Sequence, residues 1–184
     1  MRKLLWLLLP LGLWAFSYDL RPVKAAEGIE CVIGAIDGPN AQNGGFVSNI
    51  CWADLGPSVA LLDAGPTLRF AQELEALILK RTGKPVSHVI LTNYHDDRIL
   101  AASHFEGRNG VKILGHRSIL SDIAANPVKF ERLPNLLPPK LYAGTKIPSQ
   151  IETYEKELIV KGDRLTIKLL KLSEASEAPS DIAV

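Results

Sequence analysis

The chain has 184 residues, a formal net charge of +1 and 47% hydrophobic residues. That length suits one domain with its own core. Charge near zero, with both signs mixed along the chain, leaves no basic stripe to displace counterions, so no nucleic-acid partner is expected.

The first 25 residues read as a secretion signal. "MRK" is a positive start, "LLWLLLPLGLWAF" is an apolar run of signal length, and small residues follow. Val23 and Ala25 fit the minus-three and minus-one positions, which places the cut after Ala25 and the folded domain at 26–184. The rival is an uncleaved anchor, but the run falls short of the roughly 20 residues that a span needs and Pro10 interrupts it. The expected location is therefore periplasmic or secreted, with no stable membrane span after cleavage.

"IECVIGAI" (29–36) is Ile/Val-rich and predicts a strand. A turn-rich loop, "DGPNAQNGG", leads to a second strand in "FVSNICWADL" (46–55) and a third in "VALLDAG" (59–65). Cys31 and Cys51 lie in the first two strands. An oxidising compartment permits a bridge between them, and two inert buried thiols are the equal alternative. In "TLRFAQELEALILKRTGKP", Phe70, Leu74, Leu77, Ile78 and Arg81 keep helical spacing, Gly83 sits at a left-handed cap and Pro85 stops the helix. "VSHVILT" (86–92) is a buried strand, "ILAASHFEGRNG" (99–110) a short helix and "VKILGH" (111–116) another strand. The proline-rich stretch 121–150 reads as a long irregular connection or lid. "KELIVKGDRLTIKLLKL" (156–172) predicts a hairpin turning at Gly162 and Asp163, and a further strand begins in the last residues. The rhythm is that of an α/β layered domain.

"LTNYHDDRIL" (91–100) carries the chemistry. A loop at the C-terminal end of a buried strand is where α/β sheets place ligand-binding groups. His95 and Asp97, at alternate positions, make half a site for a cation such as zinc. The other histidines have blander readings: His88 packed in or at the edge of a strand, His104 on the surface of the short helix, His116 at a strand end from which it can approach the loop. The glycines of "NGGF" fit a tight turn better than an anion cradle, and no Gly-x-Ser-x-Gly elbow supports a serine hydrolase.

"VILTNYHDDRILAASHF", preceded by "VALLDAGPT" and a helix, resembles the metallo-β-lactamase superfamily, and "QNGGFVSNI" looks closest to secreted members related to quinoprotein- and sulfur-oxidation-associated metallohydrolases. The resemblance covers about 27–184. It implies an α/β fold, the αββα sandwich of that family, of which this chain holds the N-terminal half to two-thirds. The family's loop reads Thr-His-x-His-x-Asp-His. Thr92 keeps the threonine, His95 the second histidine and Asp97 the aspartate that orients the attacking water. Asn93 stands for the first histidine and Arg98 for the last. Asp63 matches a strand-end aspartate that supports the loop. Ser176 or Glu177 falls near a later ligand histidine, and Asp181 matches the aspartate that closes that later motif.

The family's cofactor is zinc, and its reaction is attack by metal-bound hydroxide on a carbonyl or ester. An asparagine oxygen is a weak substitute for imidazole, and a guanidinium has no lone pair to donate. With Asp96 or Asp97 beside it, Arg98 is expected to form an ion pair where a metal would sit. His95 and Asp97 then read as a remnant, with zinc absent or weakly bound and hydrolysis lost or weak. A binding role toward a small ligand or protein partner is the first expectation, with Arg98 and Asn93 recognising a carboxylate or phosphate. The alternatives are an active hydrolase of an ester, thioester or lactam that completes its site with Glu177, His116 or another subunit, and a non-functional fragment. Half a sandwich also leaves one sheet face uncovered, which a homo-oligomer would bury.

Overall fold

The computed structural model describes residues 16–108, 110–172 and 176–184. The apolar run of the signal, up to residue 15, and tail residues 173–175 lie outside them. The first strand, β1 (Pro22–Ala26), falls within the stretch assigned above to the leader. It pairs antiparallel with β2 (Ile29–Val32), which pairs in turn with β3 (Ile50–Asp54). β4 (Val59–Leu62) follows, then helix α1 (Leu68–Thr82), β5 (Val86–Leu91) and the short helix α2 (Asp96–Ile99). A 3-10 turn over Leu100–Phe105 leads to β6 (Lys112–His116).

The stretch 121–150 is more ordered than its prolines suggest. It holds the end of α3 (Ser118–Ala125), a 3-10 turn (Pro127–Glu131), α4 (Arg132–Leu136) and α5 (Pro139–Tyr142). Pro127 and Pro139 sit in first turns, where a missing N–H costs nothing and a fixed φ favours the start. β7 (Glu152–Tyr154), β8 (Glu157–Lys161), β9 (Thr166–Lys171) and β10 (Ile182–Ala183) complete the chain.

β1 to β7 form one sheet in sequence order, antiparallel as far as β4 and parallel from β4 to β7; β10-β9-β8 form a second, antiparallel sheet. The large sheet is covered on both faces, which explains the unbroken apolar run of β4 and that of Val89–Leu91 in β5. Trp52, Leu61, Val89 and Leu91 join Phe70, Leu74 and Ile78 of α1 in one core layer. Ala53, Ala60, Ile90 and Leu114 pack against Val160, Ile167 and Leu169 of the small sheet in the other. Arg81 lies off the buried stripe of α1 and pairs with Glu30 at 2.8 Å. The outer face of the small sheet is exposed, but Ile159 and Leu170 alternate there with an ion pair of Lys168 and Glu157. It is less apolar than half a sandwich would imply. Cys31 and Cys51 are directly opposite in the β2–β3 register and form a disulfide.

Two elements position the loop after β5. The Thr67 hydroxyl accepts the N–H of Phe70 and caps α1, while Gly83 closes it in the left-handed conformation. Between β4 and α1 the chain turns a corner at Asp63, Ala64 and Gly65. Asp63 has φ 61°, the only positive value among non-glycine residues described, and Gly65 has φ 98°. A Cβ at Gly65 would overlap the Phe70 ring. Gly65→Ala is therefore expected to cost about 2–4 kcal/mol, from left-handed strain plus overpacking, as read by urea denaturation.

Candidate functional site

The corner after β4 and the loop after β5 are bonded to each other before any side chain is considered. Asp63 N–H donates to the Ile90 carbonyl at 2.8 Å, and the N–H groups of Ala64 and Gly65 both donate to the Arg98 carbonyl, at 2.8 and 3.0 Å. That brings Asp63 under the loop. Its Oδ1 accepts the Thr92 N–H at 2.8 Å; its Oδ2 accepts the Thr92 hydroxyl at 2.7 Å and Arg98 Nη1 at 2.8 Å. Asp63 is 2% exposed. Burial pushes its carboxyl above the ordinary value, against the pull of Arg98 and Thr92. Every contact on it is a donor, so the carboxylate is the form these contacts fit.

The pairing of Arg98 corrects the expectation that Asp96 or Asp97 would hold it: adjacent side chains on α2 point apart, and the guanidinium reaches across to the strand-end corner. Asp96 and Asp97 find a different cation. Arg132 of α4 donates Nε to Asp96 Oδ2 at 3.0 Å, bonds Asp96 Oδ1 through Nη2, and lies 3.4 Å from Asp97 Oδ1. The Ser48 hydroxyl donates to Asp97 Oδ2. Sequence reasoning missed both Ser48 and Arg132. A signal existed for the second: Asp63, Asp96 and Asp97 are three carboxylates against one arginine in the loop, which calls for a further cation from elsewhere in the chain.

The rest of the loop is locally satisfied. Asn93 Oδ1 accepts the His95 N–H at 3.0 Å in a self-bonded Asx turn. The His95 ring packs edge-on against Tyr94 at 5.3 Å, and Lys129 sits 4.6 Å over the Tyr94 ring. Burial, and then Lys129, hold the His95 imidazole below the usual histidine range, while Asp97 and Glu177 act the other way.

The tail returns to this place. Ile182 N–H donates to the Thr92 carbonyl at 3.0 Å, and Asp181 Oδ2 accepts the Ala178 N–H, closing a turn beside the loop. Glu177 Oε1 lies 3.8 Å from His95 Nε2, with most of its side chain in solvent. Ser176 bonds within the tail, its hydroxyl donating to the Ala178 carbonyl.

His116 does not approach the loop as a donor. Its Nδ1 contacts the Ser118 hydroxyl at 2.8 Å and its Nε2 the Glu155 carbonyl at 2.7 Å, so both nitrogens are engaged. His88 stays in its strand beside Ser87. His104 is not a surface residue: it is wedged against Glu75 of α1 at 2.7 Å, with Arg108 on the same carboxylate.

Among the described residues no group of three or more His, Cys, Asp or Glu is arranged to hold a metal ion. The donor set does not fit zinc on its own chemistry. His95 brings the loop's only imidazole, both oxygens of Asp97 face Ser48 and Arg132, and the guanidinium of Arg98 has no lone pair to donate.

Two outcomes follow. Arg98→Met leaves Asp63 buried without its cation and is expected to cost about 2–4 kcal/mol in chemical denaturation, much of it recovered by adding Asp63→Asn. Folding favours neutral His95, so that contribution is present above the unfolded value of 6.5 and lost as pH falls through the depressed folded value. Between about pH 7 and 5, the denaturation midpoint of His95→Gln should fall less than that of the native chain.

The sequence profile of the metallo-beta-lactamase superfamily matches residues 44–169. No protein of curated function matches the chain. Among solved structures, a B3 metallo-beta-lactamase with an active-site glutamic acid superposes with a TM-score of 0.62 at 11% identity, over 90% of this chain and 56% of that one. A metallo-beta-lactamase of Cronobacter sakazakii with a HARLDQ motif gives 0.59 at 11%, over 89% and 58%. The sec-alkylsulfatase Pisa1 from Pseudomonas sp. gives 0.60 at 14%, over 89% and 29%. The chain thus spans little more than half the length of the lactamases it resembles, and at these identities the likeness is one of fold. With the profile covering most of the chain, this protein belongs to the metallo-beta-lactamase superfamily.

Proposed function

We propose that this chain is a metallo-β-lactamase-fold protein in which an ion-pair network has replaced the metal centre, and that it binds a small anionic ligand instead of hydrolysing one. The observation that carries this reading is Arg98, seated at the last ligand position and held by buried Asp63 at 2.8 Å. A fixed positive charge there does the electrostatic work of a cation and opposes the entry of one. Arg98 and Arg132 keep 32% and 41% of their side chains exposed, and half-buried Lys129 lies over the ring of Tyr94, the residue before half-buried His95. A carboxylate or phosphate would find guanidinium donors there, although Asn93, with its oxygen engaged, contributes only its amide N–H groups.

The test is metal content and turnover together. Purified protein is expected to carry substoichiometric zinc by elemental mass spectrometry, unchanged in His95→Ala, with β-lactam, thioester and ester substrates untouched. One equivalent of zinc that disappears in His95→Ala would sink the proposal.

A second reading, an active zinc hydrolase, is favoured by one contact, Glu177 beside His95 at 3.8 Å. On that reading Glu177→Gln lowers both zinc content and turnover.

A further inference from the structure

Eight residues before the cut expected after Ala25, the core is already under construction. Tyr18 is buried, with its hydroxyl 2.9 Å from the Gly44 carbonyl and 2.8 Å from Thr67 Oγ1, the group that caps α1. Its ring meets Phe70 edge-on at 5.0 Å. Gly44 has φ 63°, and a Cβ there would lie 2.7 Å from the rings of both Tyr18 and its neighbour Phe16. Four residues later β1 pairs with β2 through Pro22↔Val32, Val23↔Cys31 and Lys24↔Glu30. A cut after Ala25 would remove a core aromatic, a capping partner and nearly all of an edge strand.

We infer that the leader is removed between Ser17 and Tyr18, so that Tyr18 is the first residue of the mature protein. Upstream, the sequence has what a leader peptidase reads: Arg2 and Lys3, the apolar run ending at Trp14, then Ala15 and Ser17 as small residues at minus three and minus one. Downstream, the fold is built to receive the product. Tyr18 N lies 2.8 Å from Glu73 Oε2 on α1, an oxygen that the Ser17 hydroxyl also reaches at 3.0 Å in the uncut chain, and the other oxygen of Glu73 accepts Arg69 Nε at 2.9 Å. Hydrolysis adds one water: the Ser17 carbonyl leaves with the leader as a carboxylate, and the Tyr18 nitrogen takes up protons to become an ammonium. Cleavage acts on the extended chain, and on folding the new ammonium meets a carboxylate three-quarters buried, turning a backbone hydrogen bond to that carboxylate into an ion pair.

The experiment expresses the full chain from Met1 in a secreting bacterial host and reads the N-terminus of the purified protein by Edman degradation and intact mass. Tyr18 as first residue is the expected result. Ala26, Met1 or any other start overturns the assignment. Ala15→Leu with Ser17→Leu should leave the product at precursor mass; correct cleavage of that variant at Tyr18 would also overturn it. An independent readout addresses the ammonium. Glu73→Gln should lower the melting temperature of the mature protein at pH 7, and the difference should shrink above about pH 9 as the α-amino group loses its proton. A difference constant over that range contradicts the ion pair.

Discussion

The Asp63 carboxylate is the point on which the fold around the loop depends. It sits at a corner with left-handed backbone, is removed from solvent, and accepts from Thr92 twice and from Arg98 once. A buried carboxylate is costly unless its oxygens are satisfied, and the satisfying groups come from the loop after the neighbouring parallel strand. The corner and the loop therefore hold one another: backbone donors of Ala64 and Gly65 run to Arg98, while side-chain donors of Thr92 and Arg98 run back. Around that hub Asp96 and Asp97 take a second arginine, and the tail adds a strand bond to Thr92. The result is charge neutralised by protein alone.

The two-layer core follows from the same frame. Parallel strands with both faces buried need apolar residues at every position, and β5 supplies Val89, Ile90 and Leu91 without interruption. The helix α1 covers one face and the small sheet the other. Along β9 of the small sheet exposed and buried positions alternate, the pattern of an antiparallel sheet with one face in water.

Much of this was legible from sequence. The helix over 68–82, the strand 86–91 and the late hairpin carry strong periodicity, and cap residues mark their ends. The loop announced itself through His95 and Asp97, and the Asp63 corner through its family motif. What could not be read locally was pairing at a distance. Arg98 had two acidic neighbours on its own short helix, yet its partner is 35 residues earlier; Arg132 comes from a stretch whose prolines suggested irregular chain. Prolines at first turns look like breakers in sequence and act as helix starters in space. β1 was hidden for another reason: Val23 and Ala25, which satisfy a cleavage pattern in sequence, also lie in an edge strand paired with β2.

The hydrogen bond from Ile182 to Thr92 joins the last strand of the chain to the first residue of the loop, and Ser48 reaches the same loop from before the third strand. The polar centre is thus assembled from segments spanning most of the sequence, and no local piece of chain contains it. Contacts of such separation form only after long loops have closed, which is slow. A nascent chain emerging in order would have Asp63 and Arg98 together while Arg132 and the tail are still missing. During that interval Asp96 and Asp97 lack their cation. The centre therefore closes only after Arg132 and the returning tail segment have arrived, later than the corner and loop on which it rests.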